Sequence, residues 1–80
     1  MTPALTQLSV LFDPQTPAAQ DRAEAMVLDA VAGRRIVPNP VALLGATSQE
    51  LPSGVRVVIQ YDHSTGRHIG RCEVLCEARG

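Results

Sequence analysis

The sequence predicts an α+β fold, a small single-layer antiparallel sheet packed against one α-helix in the order strand, helix, irregular segment, strand, strand. Three observations carry this. Val55, Val57, Ile59 and Tyr61 alternate with Arg56 and Gln60, and Cys72, Val74, Cys76 and Ala78 alternate with Arg71, Glu73 and Glu77, so the last third of the chain writes a β-hairpin around His63-Ser64-Thr65-Gly66. Leu8, Val10 and Phe12 alternate with Gln7, Ser9 and Leu11, the period of an N-terminal strand. Between them the apolar residues recur at helical spacing.

The first strand ends at Asp13-Pro14, because proline cannot donate to a ladder. Thr16-Pro17 then offers a helix N-cap followed by proline in the first helical position, and Gly33 stands where a left-handed residue would stop the helix. The helix is therefore expected from Pro17 to Ala32. Ala19, Ala23, Met26, Val27, Ala30 and Val31 gather into one stripe on it, small and flat enough to lie on a sheet, and Leu28 falls on the opposite side, either covered by the segment that follows, the preferred reading, or exposed for a partner. From Arg34 to Gly54, Pro38, Pro40, Pro52, Gly45 and Gly54 forbid a long regular element. Within it Ile36-Val37 reads as a brief extended piece, Asn39-Pro40 as the cap of a short helical turn, and Val41 to Leu44 as apolar residues that need burial.

The hairpin has two registers that keep its apolar residues together. One pairs Ile59 with Cys72, Val57 with Val74 and Tyr61 with Gly70; the other closes a three-residue loop at Gly66, pairs Tyr61 with Ile69 and requires a bulge near Gly70. In either case Phe12, Val27, Val57, Ile59 and Val74 form the core under the helix.

A chain of 80 residues is one domain, residues 1–80, and buries only about 60% of the surface its unfolded form exposes, which leaves its core marginal and favours association. At 45% hydrophobic and 19% charged residues it is composed to fold rather than to remain disordered. Phe12 and Tyr61 are the only aromatic residues, so stacking on bases is poorly served. All seven basic residues are arginine, a bias that points to GC-rich coding of the kind common in bacteria and phages, and the net charge of −1 supplies no general attraction for nucleic acid or anionic membranes. Neither a secretory leader nor a run of about 18 apolar residues is present, so a cytoplasmic location is expected and no membrane association. Cys72 and Cys76 lie four apart on one strand, roughly 13 Å between Cα atoms, too far for a disulfide, and read as reduced, buried small hydrophobes.

Candidate sites are few. Asp62, His63 and His68 at the hairpin turn carry zinc-ligand chemistry, and Ser64 beside His63 pairs a nucleophile with a base, but the turn lacks a protected setting and an orienting third group. The expectation is no catalytic centre, no metal and no cofactor. The spacing from Gly66 to Gly70 is not a phosphate loop. Arg34 and Arg35 follow the helix, where they would cap its last carbonyls or contact an anion. The sheet face away from the helix is less polar than a solvated face should be: Leu11, Val58 and Leu75 share it with Arg56, Gln60, Arg71 and Glu73. Either the proline-rich segment, Val41 to Leu51, folds beneath this face or another protein chain covers it. The functional expectation is a small non-catalytic protein-binding module, acting as a homodimer or as an adaptor or inhibitor on a larger assembly, with these seven residues as the contact surface. An arginine-mediated nucleic-acid binder is the alternative, disfavoured by Glu73 among the arginines, and a metal-dependent enzyme is the remotest reading.

Overall fold

The computed structural model describes residues 4–38 and 47–78. Among these residues one helix lies on a five-stranded antiparallel sheet. Strand β1 spans Leu5–Phe12, helix α1 Ala19–Ala30, β2 Ile36–Val37, β3 Thr47–Glu50, β4 Arg56–Asp62 and β5 Arg67–Glu77. The main path across the sheet runs β1-β5-β4-β3, so the last strand in sequence is central. The register of β2, with Ile36 opposite Cys76, places it on the β4 side of β5 beyond the point where β4 begins. The sheet thus has five strands where the sequence indicates three, because part of the irregular segment joins it. Asn39-Pro40 and Val41 to Leu44 lie outside the described residues.

β1 begins two residues before the alternation that reveals it and pairs without interruption from Leu5 opposite Glu77 to Phe12 opposite Gly70. Past Asp13 the chain turns within a few residues. The Asp13 carboxylate accepts from the Gln15 N–H at 2.9 Å and from the Thr16 hydroxyl at 3.1 Å. Thr16 belongs to this turn, and its side chain does not cap the helix. The cap position is Ala18, in a left-handed conformation at φ 63° with no side-chain cap, and the helix starts at Ala19 rather than Pro17. It ends at Ala30, and Gly33 adopts φ 82°, the left-handed residue expected just beyond a helix.

Helix burial is narrower than the sequence stripe. Ala19, Ala23, Val27 and Val31, four apart in succession, are buried, whereas Met26 and Ala30 are exposed. Such a line of small residues lets the helix sit close to β1 and β5, the strands it contacts. Leu28 is not on a far side: it packs at the margin of the core, with Ile36 and Leu51. The core itself joins Ala23, Val27 and Val31 to Val55, Val57, Cys72, Val74 and Cys76, with Phe12 and Ile59 packed against it. Both cysteines are free and fully buried.

β3 and β4 form a hairpin through Pro52-Ser53-Gly54, closed by the Leu51 N–H on the Val55 carbonyl at 2.8 Å and by the Gly54 N–H on the Leu51 carbonyl at 2.9 Å. Gly54 takes the positive φ (94°) that the loop requires. The Ser53 hydroxyl donates to Glu24 and so ties this loop to the helix.

The β4–β5 register differs from both expected registers. Val57 faces Cys72, Ile59 faces Gly70 and Tyr61 faces His68, with residues 63–66 as the loop. Relative to the Tyr61–Gly70 pairing this is a slip of two, which leaves every side chain on its expected face. Gly70 still lies under an aromatic ring, but the ring is Phe12 of β1. A Cβ on Gly70 would fall far inside contact distance of the Phe12 ring, nearest its Cζ. Gly70→Ala should therefore destabilise the protein by about 1–3 kcal/mol through overpacking, read as a lower urea midpoint. Phe12→Leu in the same chain should reduce that loss; an equal loss in both backgrounds would show that the ring does not set the constraint.

Candidate functional site

Period-two alternation puts all seven expected contact residues on the sheet face away from the helix, and register arranges them in rows across the strands. Leu11, Arg71, Val58 and Ser48 form one row from β1 to β3. Ser9, Glu73, Arg56 and Glu50 form the next. Leu75 faces Gln7 in a third, and Gln60 faces Ile69 near the turn.

This face is not uniformly solvated. Leu11 is 66% exposed, but Val58 is only 3% exposed and Leu75 is half-buried. Val58 is flanked by its cross-strand neighbours Ser48 and Arg71. The described part of the expected covering segment, Thr47–Glu50, does not pass under the face; it extends the sheet sideways as β3.

Glu73, one of the expected contact residues, is 4% exposed within the chain itself. Its carboxylate needs partners at that depth, and it has two: the Gln7 side-chain amide donates at 2.8 Å and Arg71 Nε at 2.9 Å, both to Oε2. Arg56, directly opposite Glu73, turns its Nη1 to the Ser48 hydroxyl at 2.7 Å, while its Nε is buried without a partner. A polar belt from β1 to β3 thus runs through the middle of the face.

Toward the turn the belt gives way to a shallow cleft of about 490 Å³ lined by Leu11, Val58, Gln60, Ile69, Arg71 and turn residues 61–64. Four of the seven expected residues meet here; Arg56 and Glu73 belong to the belt and Leu75 lies outside the cleft. Ile69, Gln7 and Ser48 were not singled out by sequence. Ile69 and Gln7 share the parity of Arg71 and Leu11, which would have found them, but Ser48 lies in a polar stretch without alternation.

The turn is organised by Asp62, which accepts from the Ser64 hydroxyl at 2.7 Å, the Ser64 N–H at 3.0 Å and the Thr65 hydroxyl at 3.1 Å. The Gly66 N–H closes it onto the Asp62 carbonyl at 2.9 Å, with Gly66 at φ 70°. His63 and His68 flank the Tyr61 ring. Each packs edge-on against Tyr61, with ring centroids 4.9 and 5.3 Å away. Among the described residues no three His, Cys, Asp or Glu side chains group closely enough to hold a metal ion. Ser64 donates to Asp62 rather than to a histidine. Burial pushes the Cys72 thiol above 9.0, with the Glu24 carboxylate adding to the rise, so its reactive thiolate is disfavoured.

Arg34 and Arg35 do not cap the helix with their side chains. The turn after α1 is closed by the main-chain N–H of Arg34 on the Val31 carbonyl at 2.9 Å, and Arg35 pairs with Glu77 at 3.7 Å. Among the described residues no helix is long and apolar enough to cross a membrane. No family model matches the chain, and neither a characterised protein nor a solved structure matches it.

Hydrogen bonds from Ser64, its hydroxyl first and then its N–H, hold the Asp62 carboxyl below its ordinary 3.8. A depressed folded value means that the turn gains from the carboxylate above pH 3.8 and loses that gain as pH falls through the lower folded value. The Ser64 amide resonance should accordingly titrate with a midpoint below 3.8, and Ser64→Ala should bring the Asp62 midpoint back toward it. A wild-type midpoint at or above 3.8 would show that these hydrogen bonds do not form in solution.

Proposed function

We propose that this chain is a small, non-catalytic protein-binding module that docks by the outer sheet face, through the cleft between Leu11 and the β4–β5 turn. The observation that carries the reading is the pairing of an exposed apolar residue, Leu11, with an anchored polar one, Arg71, around a concave floor that includes Val58. An apolar side chain of a partner would fill the cleft, and Arg71, held by Glu73, would present its remaining guanidinium donors at the rim without the entropy cost of ordering a free side chain. Adaptors and inhibitors that dock on larger assemblies need no more than such a surface, and the composition suits a cytoplasmic accessory protein of a bacterium or phage.

Two features weigh against the nucleic-acid alternative. Arg71 and Arg35 are both engaged by carboxylates, and the charge left over is −1 for the whole chain. Phosphate binding depends on unspent cations. At the turn, the Asp62 carboxylate is committed to Ser64 and Thr65 rather than to a histidine.

Gln60→Trp tests the reading, because Gln60 is an exposed residue of the cleft and the larger ring would occupy it with little demand on the fold. A protein captured from the source cell by the wild-type chain should be lost at least tenfold with this variant, and its binding should slow hydrogen exchange at residues 60–64. Unchanged capture by the variant, or salt-dependent retention of the wild type on DNA that falls on Arg71→Gln, would overturn the proposal.

A further inference from the structure

We infer that the free edge of β1 pairs with β1 of a second copy of this chain, antiparallel about a two-fold axis at Leu8, to make one continuous sheet. The inference rests on the protein-binding reading but names the partner, and it concerns the sheet's edge rather than its outer face.

β1 ends the strand order, so one side of it is unpaired among the described residues. Over Leu5–Phe12 it carries no charge and no proline, and its pairing with β5 contains no bulge. Those are the usual devices that stop an edge from recruiting another strand. The opposite edge has them within the strand: β3 is only four residues long and carries Glu50.

Main-chain parity fixes how two copies can meet. The Ala78 N–H donates to the Ala4 carbonyl at 2.9 Å, which makes Ala4 and Ala78 a hydrogen-bonded pair on the β1–β5 ladder. Alternation then turns the N–H and C=O of Thr6, Leu8, Val10 and Phe12 toward β5, and those of Leu5, Gln7, Ser9 and Leu11 toward the free edge. The Glu77 N–H confirms the pattern from the other side of β5, since it donates away from β1 to the Arg35 carbonyl at 3.0 Å. Only pairings that set odd residues against odd residues satisfy both copies. Among these, the one centred on Leu8 engages all four: Leu5 meets Leu11 of the second copy, and Gln7 meets Ser9. With two bonds per pair it forms about eight main-chain hydrogen bonds.

The side chains agree with that centre. Four large hydrophobic residues are exposed among the described residues, and three of them belong to this edge: Leu5 at 49%, Leu11 at 66% and Met26 at 59%. The two leucines, on the same face and equidistant from Leu8, become cross-strand neighbours at both ends of the new ladder. Met26 stands over the β1 edge, in a cleft of about 280 Å³ shared with Val10, Phe12 and Arg22. A helix lying over the β1–β5 seam is about half a strand spacing inside the edge, so two-fold mates would run about 10 Å apart, within helix-packing distance.

The test is sedimentation of the full chain with two variants chosen by parity. The wild type should sediment at twice its 8.5 kDa mass. Ser9→Pro deletes an outward N–H and leaves the β5 ladder intact, so it should give a monomer with the wild-type circular dichroism spectrum. Leu8→Cys should form an intermolecular disulfide on mild oxidation, because residue 8 faces itself across the axis in a non-hydrogen-bonded pair, and Thr6→Cys should not. The crosslink keeps the inference testable if Ser9→Pro fails to fold. A wild-type chain still monomeric at about 1 mM, or a dimer that resists Ser9→Pro and does not crosslink through Leu8→Cys, overturns it. A dimer dispersed instead by Gln60→Trp would place association on the outer face, which sinks the edge pairing while the protein-binding reading stands.

Discussion

β5 is hydrogen-bonded along both of its edges, and the remainder of the structure is arranged by what that double pairing demands. Its even-numbered residues give their main-chain groups to β1, and its odd-numbered residues give theirs to β4 and then to β2. A strand enclosed in this way cannot tilt or slide to accommodate its side chains, so the side chains must suit two fixed faces. Under the helix they are Gly70, Cys72, Val74 and Cys76, small enough for the alanine line of α1 to come close. At Gly70 the fit is closest, because the Phe12 ring fills the space that any side chain there would need.

The same enclosure accounts for the polar belt on the opposite face. Glu73 sits near the middle of the central strand, where neighbours on both sides exclude water, and its charge would be costly there without the donors from Gln7 and Arg71. Because Arg71 is fixed by that bond, it becomes a rigid element of the cleft beside Leu11. The surface proposed for docking is therefore supported by the belt, and the exposed edge of β1 lies at its border through Leu11. Face and edge are different surfaces that share one residue, Leu11.

Legibility in the sequence followed burial on one face. Wherever alternation was enforced by the core, as in Val55 to Tyr61 and Cys72 to Ala78, strands and faces could be read, and the helix could be read from its alanines. Register could not, because a slip of two leaves every side chain on its expected face, so alternation alone does not choose between the two. β3 was invisible because Thr47-Ser48-Gln49-Glu50 is polar throughout and belongs to the sheet by its main chain. The helix start was misplaced because Thr16 joins the Asp13 turn, to which it donates its hydroxyl, and the cap position falls two residues later at Ala18. Of the outer face, alternation gave the membership of all seven residues, yet not which were buried: the depth of Val58 and Glu73 depends on the strands to either side.

The most direct test of the account is amide hydrogen exchange along β5 under native conditions. If the strand is the integral centre of the sheet, the amides of Cys72, Val74 and Cys76, which face β1, and those of Arg71 and Glu73, which face β4, should share one slow rate set by global unfolding. Exchange of the first set much faster than the second would mean that β1 detaches on its own, and would contradict both the central role of β5 and the use of β1 as a stable edge.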